Sequence, residues 1–92
     1  MEKTAGGMLV LSLSAPTNQR VEDIVPTKHV VNWRNRIGTV IQAAAADVSV
    51  YGEDPAGGAA AWTVPAGSIL SLDYNGPLWV TSTGNVTILG LY

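Results

Sequence analysis

The chain has 92 residues, of which 47% are hydrophobic and 13% charged, and a formal net charge of −2. That length fits one domain and excludes folds assembled from many βαβ units. The apolar excess excludes intrinsic disorder, and five Lys and Arg in all are too few for a phosphate-binding surface.

Residues 1–7 are polar and end in Gly6-Gly7, so they read as a mobile tail before a single β domain over 8–92. Leu9, Leu11 and Leu13 alternate with Val10, Ser12 and Ser14, the period of a strand. The run from Met8 to Pro16, with Lys3 before it, has some features of a signal-peptide core, but its Leu/Ser alternation fits a strand better. Ala15-Pro16-Thr17-Asn18-Gln19 is a loop, and residues 20–25 read as a short edge strand ended by Pro26.

Residues 28–37 alternate imperfectly. Val31, Trp33, Asn35 and Ile37 would face one way and Val30, Asn32, Arg34 and Arg36 the other, giving a strand with one wet face and a bend at Gly38. Residues 39–42 continue it, and the four alanines 43–46 read as strand continuation or crossover, with a turn or two of helix at most. Val48 and Val50 alternate with Ser49 and Tyr51 before the breaker-rich turn 52–58.

Residues 61–64 form a short strand. Pro65 and Ala66 are expected at the centre of a type I turn with Gly67 last. In 68–74, Ile69, Ser71 and Asp73 share one face, and Leu70, Leu72 and Tyr74 the other. After Asn75-Gly76-Pro77 come two strands, 78–83 and 86–91, joined by Gly84-Asn85. A two-residue hairpin loop there would set Thr83 opposite Val86, Thr81 opposite Ile88 and Trp79 over Gly90. Leu78, Val80, Leu89 and Leu91 would then form its core face. The sum is an all-β protein, a small antiparallel sandwich or barrel of about seven to nine short strands.

Little in the chain carries chemistry. There is no cysteine, which excludes disulfides and thiolate chemistry. His29 is the only histidine and reads as a half-exposed residue at a strand start. The acid pairs Glu22-Asp23 and Glu53-Asp54 read as solvated turn residues, because no loop has the spacing of a calcium site. No apolar run reaches the roughly 18 residues that cross a bilayer. Trp33 is expected in a core or subunit interface, away from Arg34 and Arg36, which would form a polar outer row. Trp62, Trp79, Tyr51, Tyr74 and Tyr92 raise a sugar-stacking alternative. No enzyme activity, metal or cofactor is expected. The candidate interface or core-edge residues are Trp33, Arg34, Arg36, Trp62, Trp79 and Tyr92.

The stretch from Trp62 to Ser82 runs polar strand, Pro65-Ala66-Gly67 turn, apolar strand, Gly76-Pro77 turn, aromatic strand. In that order it resembles segments of small virion proteins of tailed bacteriophages. The resemblance implies a capsid decoration (cement) protein, or a small head or tail component, made in the host cytoplasm and carried on the virion. Its partners would be the major capsid protein or another virion protein, and further copies of itself, with a trimer favoured. Nucleic acid and membrane are not expected as partners. Such proteins carry a long capsid-binding arm, and here only residues 1–7 would serve as one. The alternative is a small carbohydrate- or receptor-binding β-module of a tail or head fibre.

Overall fold

The computed structural model describes residues 7–52, 62–74 and 76–92. Eight strands form two four-stranded antiparallel sheets: β1 (Met8–Leu13), β2 (Gln19–Arg20), β3 (Gly38–Ala43), β4 (Val48–Tyr51), β5 (Trp62–Val64), β6 (Ile69–Leu72), β7 (Trp79–Ser82) and β8 (Val86–Leu91). The first sheet runs β1-β8-β3-β6 and the second β2-β7-β4-β5. The chain is thus a β-sandwich.

Its strand order has a simple origin. β1 pairs with β8, β2 with β7, β3 with β6 and β4 with β5. The chain is a long two-stranded ribbon, rolled up so that β3 also meets β8 and β4 meets β7. This is the jelly-roll arrangement.

Alternation fills the core from both sheets. Leu9, Leu11 and Leu13 of β1, Ile41 and Ala43 of β3, and Val86 and Ile88 of β8 face Val48, Val50, Val64 and Val80 of the second sheet. Alternation read correctly in β1, β4 and β6, where Leu70, Leu72 and Tyr74 pack on the core while Ile69, Ser71 and Asp73 are exposed.

Four crossovers between the sheets, at 14–18, 44–47, 65–68 and 83–85, lie at one end. They bond to one another: Ala15 N to Gly84 O at 3.2 Å, Ser82 N to Pro16 O at 2.9 Å and Gly67 N to Ala44 O at 2.9 Å. Asp47 Oδ1 accepts from Ala66 N at 2.8 Å. The turn at 65–68 closes one residue later than expected. Ser68 N donates to Pro65 O, so Ala66 and Gly67 are central. Gly67 has φ +78° and Ala66 no positive φ, the pattern of type II. Ala43 ends β3, and the alanines 44–46 make the crossover that was one of their two expected settings, with no helix. They form a corner so tight that a Cβ on Gly84 would lie 3.3 Å from Ala46 N.

The opposite end departs most from the sequence expectation. Residues 20–25 are not an edge strand; only Gln19–Arg20 pairs, and a 3-10 turn follows over Val21–Ile24. Residues 28–37 are not a strand either. A 3-10 turn, Thr27–His29, leads into the short helix α1, Val30–Arg34. His29 therefore sits in a turn rather than at a strand start. The inward residues here are Val30, Trp33 and Arg36, a spacing of three that a charged member hides from a hydrophobicity reading.

The last hairpin is also corrected. β7 and β8 are consecutive on one leg of the ribbon, so the loop 83–85 carries the chain across the sandwich and the two strands do not pair. Trp79 lies opposite Arg20 and Tyr51, and Gly90 opposite Leu9 and Thr39. Leu78 and Val80 are buried as expected, but β8 turns Val86, Ile88 and Gly90 inward and leaves Leu89 and Leu91 half-exposed. A ring does cover Gly90, and it belongs to Trp33: a Cβ on Gly90 would come within 2.9 Å of Trp33 Cε3. Of the expected tail, residues 1–6 lie outside the described residues. Gly7 is tied down, exchanging hydrogen bonds with Tyr92 at 2.6 and 3.0 Å.

These contacts rank three substitutions. Trp33→Ala empties a fully buried site and is expected to cost about 3–5 kcal/mol. Gly90→Ala forces a methyl against that ring and is expected to cost about 1–3 kcal/mol. Trp79→Ala, at a half-exposed ring, is expected to cost clearly less than Trp33→Ala. Urea unfolding of the three variants checks the order, and an equal cost for both tryptophans would contradict it.

Candidate functional site

Polar side chains converge at the helical end, where Arg36 is 1% exposed. Its Nε donates to Thr39 Oγ1 at 2.7 Å, its Nη1 to Trp33 O at 2.9 Å and its Nη2 to Gly76 O. The guanidinium lies over the Trp33 ring, 3.8 Å from its centroid. Thr39 Oγ1 in turn donates to Tyr74 O at 2.8 Å. Burial pushes the Arg36 pKa below its ordinary value, while the negative charge of Glu22 and the Tyr74 phenol act in the opposite direction.

Glu22 closes this network on the outside. It accepts from Trp33 Nε1 at 2.9 Å and from Leu78 N at 3.2 Å, with Arg20 Nε at 3.5 Å. A shallow recess of about 200 Å³ lies between Arg20, Glu22, Arg34 and Pro77. Each Arg36 nitrogen is engaged and both Glu22 oxygens accept backbone or indole N–H groups. The cluster is a strut that fixes Trp33 in the open end of the sandwich.

The rest of the candidate surface is set by strand register, because paired residues share a face. On the outer face of the first sheet one row is Met8–Leu91, the next Val10–Leu89–Val40–Ser71, and the next Ser12–Thr87–Gln42–Ile69. None of these residues is charged. Met8 is 56%, Val10 52% and Ile69 63% exposed. On the outer face of the second sheet, Arg20, Trp79 and Tyr51 form one row and Thr81, Ser49 and Thr63 another. The Arg20 guanidinium lies 5.6 Å from the centroid of the Trp79 ring.

Comparison with protein-family models, curated proteins and solved structures gives no match. The surfaces themselves therefore carry the functional reading.

The six candidate residues fall in different places. Trp33 is core, as one of its two expected settings had it. Arg36 is a correction: it is buried on Trp33, not in an outer row, because the segment is helical and turns both residues inward. Arg34 is exposed. Trp62 is half-buried against Tyr74, with ring centroids 5.4 Å apart. Tyr92 packs on the core edge and Trp79 lies on the outer face of the second sheet. Glu22 was missed as a structural residue; nothing local in the sequence points from a turn acid to Trp33 and Leu78. The pair Glu53-Asp54 lies outside the described residues. Among the described residues no three His, Asp or Glu side chains gather to hold a metal, and no helix is long and apolar enough to cross a membrane.

Arg36→Met keeps the bulk of the side chain and strips donors from Trp33 O and Gly76 O. Each buried group left unpaired costs about 1–3 kcal/mol, so a loss of about 2 kcal/mol or more is expected in urea unfolding. Arg34→Met, at an exposed site, is expected to stay within about 0.5 kcal/mol of the parent. Equal effects would contradict the strut.

Proposed function

We propose that this chain is a non-enzymatic structural protein of a virion, a capsid decoration (cement) protein that binds the capsid surface as a repeated homo-oligomeric unit. The observation that carries this reading is an apolar patch on the outer face of the first sheet, where Met8, Val10, Val40, Leu89 and Leu91 lie side by side, with exposed Asp73 just beyond the end of β6. A solvated face of an antiparallel sheet is ordinarily polar, and a contiguous apolar face marks an interaction site. The resemblance of residues 62–82 to small phage virion proteins supplies the kind of assembly. The jelly-roll arrangement recurs in viral capsid and lectin domains, a fold-level analogy that supports a virion role without choosing a partner. The major capsid protein is the partner proposed.

The test is co-sedimentation with phage capsids stripped of accessory proteins. The parent chain is expected to pellet with capsids. Leu89→Lys, which sets a charge in the middle of the apolar face on a central strand, is expected to bind about tenfold or more weakly with an unchanged circular-dichroism spectrum. Failure of the parent to bind, or full binding by the variant, would overturn the reading.

The row of Trp79 and Tyr51 favours a second reading, a sugar-binding β-module, since flat rings on a sheet face can stack on pyranose rings. Arg20 over Trp79 already covers part of that platform, which favours the first reading. Tryptophan fluorescence titrated with bacterial surface oligosaccharides separates them: a saturable change lost in Trp79→Ala supports the sugar reading.

A further inference from the structure

We infer that two copies of this chain join through the free edge of β1, pairing antiparallel about a two-fold axis to merge their first sheets into one. Among the described residues, β1 is the edge of its sheet and pairs only with β8. Gly7 and Tyr92 exchange both backbone bonds, and Ala15 N donates to Gly84 O on the same register. Backbone groups in an antiparallel pair point alternately toward and away from the partner. So Leu9, Leu11 and Leu13 bond to β8, while Met8, Val10, Ser12 and Ser14 turn their N–H and C=O groups to the free edge. Among the described residues, nothing outside the sheet ladder hydrogen-bonds to the backbone of those four.

Natural edges are protected by charge, proline, a bulge or shortness. The other edges have at least one of these protections: β2 has two residues and Arg20, β5 has three residues, and β6 has four residues. β1 has none, with six uncharged residues. Beside it runs an open groove of about 350 Å³ lined also by Gln19, Ile24 and Pro26.

The occupant follows from self-complementarity. Across a two-fold axis normal to the sheet, residues of like parity pair, so inner faces meet inner faces. Centring the axis on Leu11 sets Val10 opposite Ser12 of the second copy and Met8 opposite Ser14 of the second copy. Every outward N–H and C=O of those four residues then finds a partner, and no like charges meet. The pair replaces the trimer that the phage resemblance implies. It also sets two apolar outer faces side by side, but does not rest on the virion role.

The experiment is sedimentation equilibrium with amide hydrogen exchange on the parent chain, Ser12→Pro and Leu89→Lys. The parent is expected to have twice its 9.6 kDa chain mass. Its Val10 and Ser12 amides are expected to be protected as well as Leu9 and Leu11, and to lose protection on dilution. Ser12→Pro removes a single outward N–H and leaves the β8 ladder intact, so it is expected to be a folded monomer. Leu89→Lys is expected to remain a dimer, which keeps failure of capsid binding distinct from failure of pairing. A parent that is monomeric at high concentration, a trimer with fast-exchanging Val10, or an intact Ser12→Pro dimer would overturn the inference. So would a monomer whose edge amides gain protection only on added capsids, which would assign the edge to a capsid strand. If Ser12→Pro does not fold, the exchange pattern of the parent decides.

Discussion

Each strand of the outgoing half of the chain is paired with its counterpart on the returning half, and the rest of the molecule is arranged around that ribbon. Rolling it places β1, β3, β6 and β8 in one sheet and the other four strands opposite. Every crossover at one end must then span the thickness of the sandwich within a few residues. Small side chains and a left-handed turn residue meet that demand: alanines at 44–46, Gly67 with φ +78° and Gly84 against Ala46. The crossovers satisfy one another's backbone groups, so this end closes without a long loop.

The other end receives the long connection 21–37 and needs a plug. Trp33 supplies it, lying on Gly90, where any side chain would occupy the place of the ring. Burying a guanidinium beside it is costly unless its donors are met. Thr39, Trp33 O and Gly76 O meet them, and the ring face offers a further attraction. Glu22 then ties the plug to Leu78 at the start of β7. The polar cluster of Arg36, Thr39 and Glu22 thus holds the plug that closes the sandwich.

This division explains what could be read in the sequence. Period-two strands with one buried face, such as Leu9, Leu11 and Leu13, announce themselves because each apolar side chain does its own hydrophobic work. Pairing does not: a short loop at Gly84-Asn85 and the alternation of the flanking strands fit a hairpin and a sheet crossover equally well, so together they point to a Trp79–Gly90 pair that the sandwich does not form. The face of β8 was inverted for a related reason. Leu89 and Leu91 are larger than Val86 and Gly90, but the inward glycine makes room for a ring that comes from residue 33. The helical segment was illegible because its inward spacing of three runs through Arg36, whose burial depends on partners at 39 and 76. Thr39 is three residues away but carries no charge to announce the pairing, and Gly76 offers only a backbone carbonyl forty residues on.

The placement of charge links the plug to the outer surfaces. Arg20, Glu22, Asp23, Lys28, Arg34 and Arg36 all belong to β2 and the connection that follows it. That one segment takes half of the twelve charged residues of the chain, and its burial demands consume Arg36 and Glu22. Over its paired strands, the outer face of the first sheet is left with apolar and uncharged polar residues. Such a face gains nothing from electrostatic steering, since long-range attraction needs a charged patch. An association through it would draw its free energy from apolar area removed from water, at about 25 cal/mol per Å², and would be little affected by salt screening. Two-fold joining of β1 edges extends the sheet sideways and leaves this face uncovered. The proposed edge pairing and face docking are thus compatible in one molecule: the first would set the unit, and the second would set where the unit sits.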